Sequence, residues 1–441
     1  MLNKEKNYII LILLHIILGV VVFVFPEFSL VYGILIFLVG IFFVIKTQNR
    51  NNEVLYAAAY IVGSEVFLRM TDGVLLYEFG KYGVMIFLII GMMYSGFSKN
   101  ALPYWVFLIL LIPGIIIAID SLNFGSEIRN TIIFNISGPV CLGISSLYTF
   151  NRKITIGEIN NLLLLIGLPI ISCAVYITLF VPELKQVLIG NGSNFKTSGG
   201  FGPNQVATIL GLGMFVFFSR LFFASSTKLL FLINLILGLF ITYRGLITFS
   251  RGGMITGLLM FLTLIVIVYY YSKNRQKLKL NYLFGFFVIA LIAIFIFSEI
   301  QTGGLLSKRY TNQDAIGRTK TTIFSGREDI AEGEINSFLE NPFFGIGVAK
   351  GYELRKEQTG ELVASHDELT RMFAEHGLLG ILALLILFIT PFTLYLHNKQ
   401  HIFLLCFLIF WLLSINHSAM RTAAPGFIYS LSLLKVRFDD N

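Results

Sequence analysis

Charge is what this sequence has least of. Of its 441 residues only 13% are Asp, Glu, Lys or Arg, against roughly 25% in an ordinary soluble domain. A water-soluble globular fold is thereby excluded. Cysteine is also scarce: Cys141, Cys173 and Cys406 all fall inside apolar blocks, with neither a disulfide framework nor metal-ligand spacing. No internal repeat, low-complexity tract or second soluble domain is evident. A cleavable leader is not expected either, because the first apolar block, Tyr8–Phe25, lacks a small-residue cleavage site and runs directly into another.

What is present in excess is apolar sequence, 56% of the chain, arranged in blocks near the roughly 20 residues that cross a bilayer. Lipid offers backbone N–H and C=O groups no partner, so each block is expected to be a helix. The blocks fall at 8–25, 28–45, 54–70, 82–97, 103–119, 132–149, 162–181, 204–223, 229–243, 252–271, 281–298, 372–395, 402–416 and 423–436. The expectation is an all-α polytopic membrane protein of about 12–14 spans. Lys and Arg accumulate in alternate loops (Lys46 and Arg50; Arg152 and Lys153; Lys273, Arg275, Lys277 and Lys279), which predicts that both termini are cytoplasmic. These basic loops account for the net charge of +8 without a nucleic-acid partner. The one long polar segment, 299–371, then lies outside, over the bundle as a lid.

Inside that segment, Ser325-Gly326-Arg327-Glu328 has the form of a capping box, which puts Arg327 in the first turn of a helix ended by Asn341-Pro342. A cation opposes the positive helix N-terminus, and an anion bound there reverses that conflict; a solvated arginine is the plain alternative. Ser365-His366-Asp367-Glu368 reads as a second capping box with His366 in the first turn, where the dipole favours a neutral imidazole able to accept a proton. A lone histidine is more often structural. Asp367 and Glu368 read as capping groups and His376 as a helix-face residue. Between the two helices, Gly345 and Gly347 permit the backbone a close approach.

By the same orientation Ser250-Arg251-Gly252-Gly253 opens a span at the outer face, where a rim arginine needs a partner or snorkels. Gly199 to Gln205 forms a turn into the preceding span; Asn204 and Gln205 there either bind sugar hydroxyls or cap the helix, with Lys196 nearby. Glu65 and Arg69, spaced i,i+4, are expected to form a structural ion pair. His417 and Arg421 either join the external site or link helix ends. His15 is expected to be satisfied within the bundle.

The order Gly199-Gly200-Phe201-Gly202-Pro203-Asn204, Ser250-Arg251-Gly252-Gly253, Ser325-Gly326-Arg327, Asn341-Pro342-Phe343-Phe344-Gly345-Ile346-Gly347, His366 and Glu375-His376-Gly377-Leu378-Leu379-Gly380 resembles the O-antigen ligase and polysaccharide polymerase family. The resemblance covers roughly 195–395, flanked by N-terminal helices over 1–194 and C-terminal helices over 396–441. It implies transfer of a glycan from an undecaprenyl-diphosphate carrier to a lipid or glycan acceptor at the outer side of the cytoplasmic membrane. It further implies that Arg251 and Arg327 hold the diphosphate and that His366 is the general base, although Asp367 stands where the family often has Asn. Guanidinium groups suit phosphate oxygens, and the external segment has no Asp-x-Asp pair. A metal-independent glycosyltransferase without cofactor is therefore expected, O-antigen ligase-like, with a polymerase of lipid-linked repeat units for O-antigen, capsule or exopolysaccharide as the alternative. The reading from a different class is a transporter or lipid-linked glycan flippase. It is disfavoured because transporter folds usually carry inverted repeats and a mid-membrane site.

Overall fold

The computed structural model describes residues 2–123, 128–181, 190–319, 327–360, 365 and 367–437. Helix is the dominant conformation, and ten helices are long and apolar enough to cross a membrane among the described residues. The chain is an all-α polytopic membrane protein. The N-terminal part runs α1 (Leu2–Val24), α2 (Phe28–Thr47), α3 (Glu53–Met70), α4 (Phe79–Ser95), α5 (Leu102–Leu110), α6 (Ile112–Ser121), α7 (Ile128–Thr149) and α8 (Ile156–Phe180). The bundle continues through α9 (Pro203–Phe223), α10 (Lys228–Ile247), α11 (Arg251–Tyr271) and α12 (Asn274–Gln301). Three short helices, α13 (Leu305–Tyr310), α14 (Arg327–Glu340) and α15 (Lys350–Thr359), occupy the polar segment. The chain then returns through α16 (Glu368–His397), α17 (Leu404–Ile415) and α18 (Ala423–Leu431).

Three expected spans differ from the sequence reading. The block at 103–119 is two helices, because Pro113 follows the junction at Leu111 and has no N–H to continue the ladder. The block at 423–436 is the nine-residue α18 followed by a strand, Lys435–Arg437, that pairs in parallel with Lys153–Thr155. It does not form a spanning helix. Its backbone is satisfied by strand pairing at the end of the bundle where α8 begins. The span expected at 372–395 starts earlier, at Glu368, and bends at Gly377, whose φ of 61° and ψ of −140° lie outside helix.

Two apolar cores hold the bundle. The larger unites α1–α4 with α8–α11; the second gathers Tyr104 and Phe107 of α5, Leu142 of α7, Leu384 of α16, Trp411 of α17 and Tyr429 of α18. The tightest helix contact is between α9 and α11. A Cβ on Gly253 would sit 2.2 Å from the Ala207 carbonyl carbon, and one on Gly257 would sit 2.2 Å from the Gly211 oxygen. Small residues four apart let two backbones touch, which is how membrane helices gain dispersion energy without a hydrophobic driving force. That contact fixes where α11 starts, and α11 starts with Arg251.

Candidate functional site

Arg251 is positioned from both sides. Phe249, in the turn before it, adopts a positive φ of 56°. Ser250 donates its hydroxyl to Asn204 Oδ1 at 2.8 Å, and Asn204 donates through Nδ2 to the His417 carbonyl at 3.3 Å. Asn204 therefore ties α9, the start of α11 and the α17–α18 loop together. His417 completes the tie through its contact with the Thr208 hydroxyl at 2.8 Å. Gln205 folds back on Gly202, where an added Cβ would meet its Oε1 at 2.2 Å. Lys196 is exposed in a short 3-10 turn, Lys196–Ser198.

A third arginine joins this corner that the sequence reading did not single out. Arg309 Nε donates to the Phe249 carbonyl at 3.0 Å, and Arg251 Nη1 donates to the Arg309 carbonyl at 3.3 Å. This reciprocal pair docks α13 onto the entrance of α11. Arg309 offered no motif of its own, and only the docking of α13 brings it to Arg251. Arg327 opens α14, as expected, although Ser325 and Gly326 of its capping box lie outside the described residues. Arg327 lies within electrostatic reach of Arg251, Arg309, Arg421 and Asp367. Burial lowers the pKa of Arg327 and of Arg309, and the charge of Arg251 pushes both the same way. Partly desolvated, mutually repelling guanidinium groups gain from an anion placed between them.

Ser365 and Asp367 are tied to arginines of this cluster. His366 itself lies outside the described residues. The expected capping box does not form: α16 begins at Glu368, and Asp367 is its N-cap, accepting from the Leu369 N–H at 2.8 Å. Glu368 pairs instead with Arg371, one turn along, and so cannot reach back to cap. In sequence His366 thus precedes the cap rather than occupying the first turn. Burial pushes the Asp367 carboxyl above the usual aspartate range, opposed by the Leu369 N–H. Ser365 is fixed by Arg421, whose Nη2 donates to the Ser365 carbonyl at 2.8 Å. Arg421 thus contacts the polar segment at Ser365, and Arg69 Nη1 donates to its carbonyl at 2.9 Å.

Below this layer lie buried ion pairs. Arg371 lies between Glu368 and Glu375 and also donates to Asn135 Oδ1 at 3.2 Å and to its carbonyl at 3.1 Å. The expected Glu65–Arg69 pair is present at 3.6 Å, and Glu65 also accepts from the Ala423 N–H at 2.7 Å, at the start of α18. Beside it Glu78 pairs with a wholly buried Lys81. His15 is satisfied by the Leu11 carbonyl and the Tyr60 hydroxyl.

Gly345 and Gly347 have φ of 73° and 92°. Their close approach is to α16: the Ile346 N–H donates to the Ala374 carbonyl at 2.8 Å and the Gly347 N–H to the Glu375 carbonyl at 3.2 Å. Pro342 in turn accepts from the Leu378 N–H at 2.7 Å. The loop replaces the helical hydrogen bonds that the bend at Gly377 breaks. His376, next to the bend, is buried against Gly114.

Arginines from α11, α13, α14 and the α17–α18 loop thus make a cationic corner electrostatically suited to an anion. Residues 233–385 match a family model described as O-antigen ligase. Over that stretch the chain is similar to the O-antigen ligase family. The matched span includes Arg251, Arg309, Arg327 and His366; Asn204 and Arg421 lie outside it. None of the curated proteins matches the chain.

Proposed function

We propose that the chain transfers a glycan from an undecaprenyl-diphosphate carrier to an acceptor hydroxyl at the outer side of the cytoplasmic membrane, with both termini cytoplasmic. The observation that carries the proposal is that Arg251, Arg309 and Arg327 lie within electrostatic reach of one another, while Arg327 also reaches Asp367 and Arg421 donates to the Ser365 carbonyl. In the proposed reaction the acceptor oxygen attacks the anomeric carbon and its proton passes to His366. The bond from that carbon to the diphosphate oxygen breaks, and the leaving diphosphate carries away the electron pair. Its developing charge is met by Arg251, Arg309 and Arg327, so guanidinium groups take the role a metal ion has elsewhere. Asp367, capping α16 beside position 366, is suited to orient the base.

The acceptor assigned here is lipid-linked core sugar, as in a ligase. Purified full chain in nanodiscs, given undecaprenyl-diphosphate glycan and acceptor, is expected to form the transferred product. The His366→Ala and Arg327→Ala variants are expected not to. Wild-type rates in both variants would overturn the assignment. In a deletion strain, unattached full-length chains accord with a ligase, whereas loss of chain length would reassign the activity to a polymerase and internal accumulation of repeat units to a flippase.

A further inference from the structure

One open cavity lies apart from the Arg251–Arg309 corner. It is an open hollow of about 730 Å³ whose walls include Tyr77, Tyr82, Phe134 and Tyr352, with Asn130 and Asn135 between them. A second, smaller cleft shares Phe134 and Asn135 with it and is lined further by Ser365, Arg371 and Arg421. The wall at Phe134 therefore adjoins the side chains that hold Ser365. Arg421 stands at the junction: its guanidinium lies 5.7 Å from the centre of the Phe134 ring and donates to the Ser365 carbonyl. Arg69 lies over Tyr77 at 4.1 Å and donates to the Arg421 carbonyl, so the aromatic wall and the site are one connected structure.

We infer that this hollow binds the acceptor glycan, presenting one of its hydroxyls toward position 366. The inference rests on the glycan-transferase reading above. Aromatic faces flanked by amide side chains fit a ring that has C–H faces and hydroxyl edges. The position fits an acceptor rather than the donor diphosphate. Arg251 and Arg309 lie at the α11–α13 corner, whereas these walls come from the α3–α4 turn, α7 and α15. Except for Tyr352, every wall residue named lies outside residues 233–385, so acceptor choice resides mainly in sequence that the ligase domain does not include.

The test is photocrosslinking of the full chain in cells that make the lipid-linked glycan. The photoreactive amino acid p-benzoylphenylalanine is placed at position 77, 134 or, beside Arg327 on α14, 330. Glycan attached at 77 and 134 supports the inference. Glycan at 330 with none at 77 or 134, or lipid without sugar captured at 77, overturns it while the transferase reading stands. Absence of glycan at all three positions overturns both. Purified Phe134→Ala and Tyr77→Ala are each expected to raise the acceptor KM by about threefold to tenfold with kcat retained, as loss of one aromatic contact implies. An unchanged acceptor KM in both variants would also overturn the inference.

Discussion

Arg421 donates to the carbonyl of Ser365 across 56 residues of sequence, and this bond anchors the chain entering position 366 to the α17–α18 loop. Because Arg69 in turn donates to the Arg421 carbonyl, Ser365 is tied to α3 as well as to the α17–α18 loop. Arg421→Ala is expected to slow transfer by about 10-fold to 100-fold, the equivalent of one hydrogen bond from a charged group. Amide exchange should rise around 365–369 while the bundle keeps its protection. Unchanged exchange there would contradict the anchoring role.

Removing an arginine proposed to hold the diphosphate should act on the chemical step. Arg251→Ala, Arg309→Ala and Arg327→Ala are each expected to lower kcat by about 10²-fold to 10³-fold, as for loss of one preorganised donor in other enzymes. Lysine at 251 or 327 should restore little, since an ammonium cannot make the planar two-point contact. Arg318, whose side chain is 74% exposed, serves as the control cation and should be replaceable without loss. Single-turnover rates with fixed donor separate these cases.

Arg371→Ala should unfold the outer layer rather than impair catalysis alone. It leaves Glu368 and Glu375 buried without their shared cation, a change that costs about 3–5 kcal/mol in comparable buried pairs. The triple variant Arg371→Met, Glu368→Gln, Glu375→Gln removes the uncompensated charge and should recover part of the loss. Thermal unfolding in detergent reads both.

Gly345→Ala is expected to destabilise the bend in α16. The positive φ alone costs about 1–2 kcal/mol for a residue with a side chain, and the new Cβ would lie 2.5 Å from the Ala374 oxygen. Proteolysis at 341–348 should accelerate. Gly333→Ala, in open space on α14, should not change it.

Docking of α14 should weaken as pH rises. Glu334 accepts from Thr370 at 2.6 Å and from Ser365 at 3.3 Å and pairs with Arg355 at 3.1 Å. Burial nevertheless raises its pKa above the 4.5 of a free glutamate. A pKa higher folded than unfolded means that the docked state binds the proton more tightly. The associated stability is complete below about 4.5 and is lost as pH rises through the folded pKa. Exchange protection of α14 should therefore be greater at pH 4 than at pH 7, and Glu334→Gln should flatten that difference.

Composition and hydropathy alone determined the class of this protein. With so few charges, apolar blocks of bilayer length have no stable form except helices in lipid, and the charged remainder had to collect in loops and in one segment. The Ser-Arg-Gly-Gly and Arg327 motifs were also legible, because a cation at a helix start is a local feature that needs no partner to be noticed. Tertiary packing alone decided what those cations meet. Arg309 reaches Arg251 only because α13 docks on the turn at Phe249, and Arg421 reaches Ser365 only through the packing of the α17–α18 loop. Glu368 abandons its expected cap because Arg371, buried between two carboxylates, needs it more. Each depends on contacts between residues far apart in sequence, where burial sets the electrostatic stakes and local propensity has no influence. The polar segment that the hydropathy pattern marks supplies Arg309 and Arg327, and only tertiary packing sets them within reach of Arg251 from the bundle and Arg421 from the α17–α18 loop.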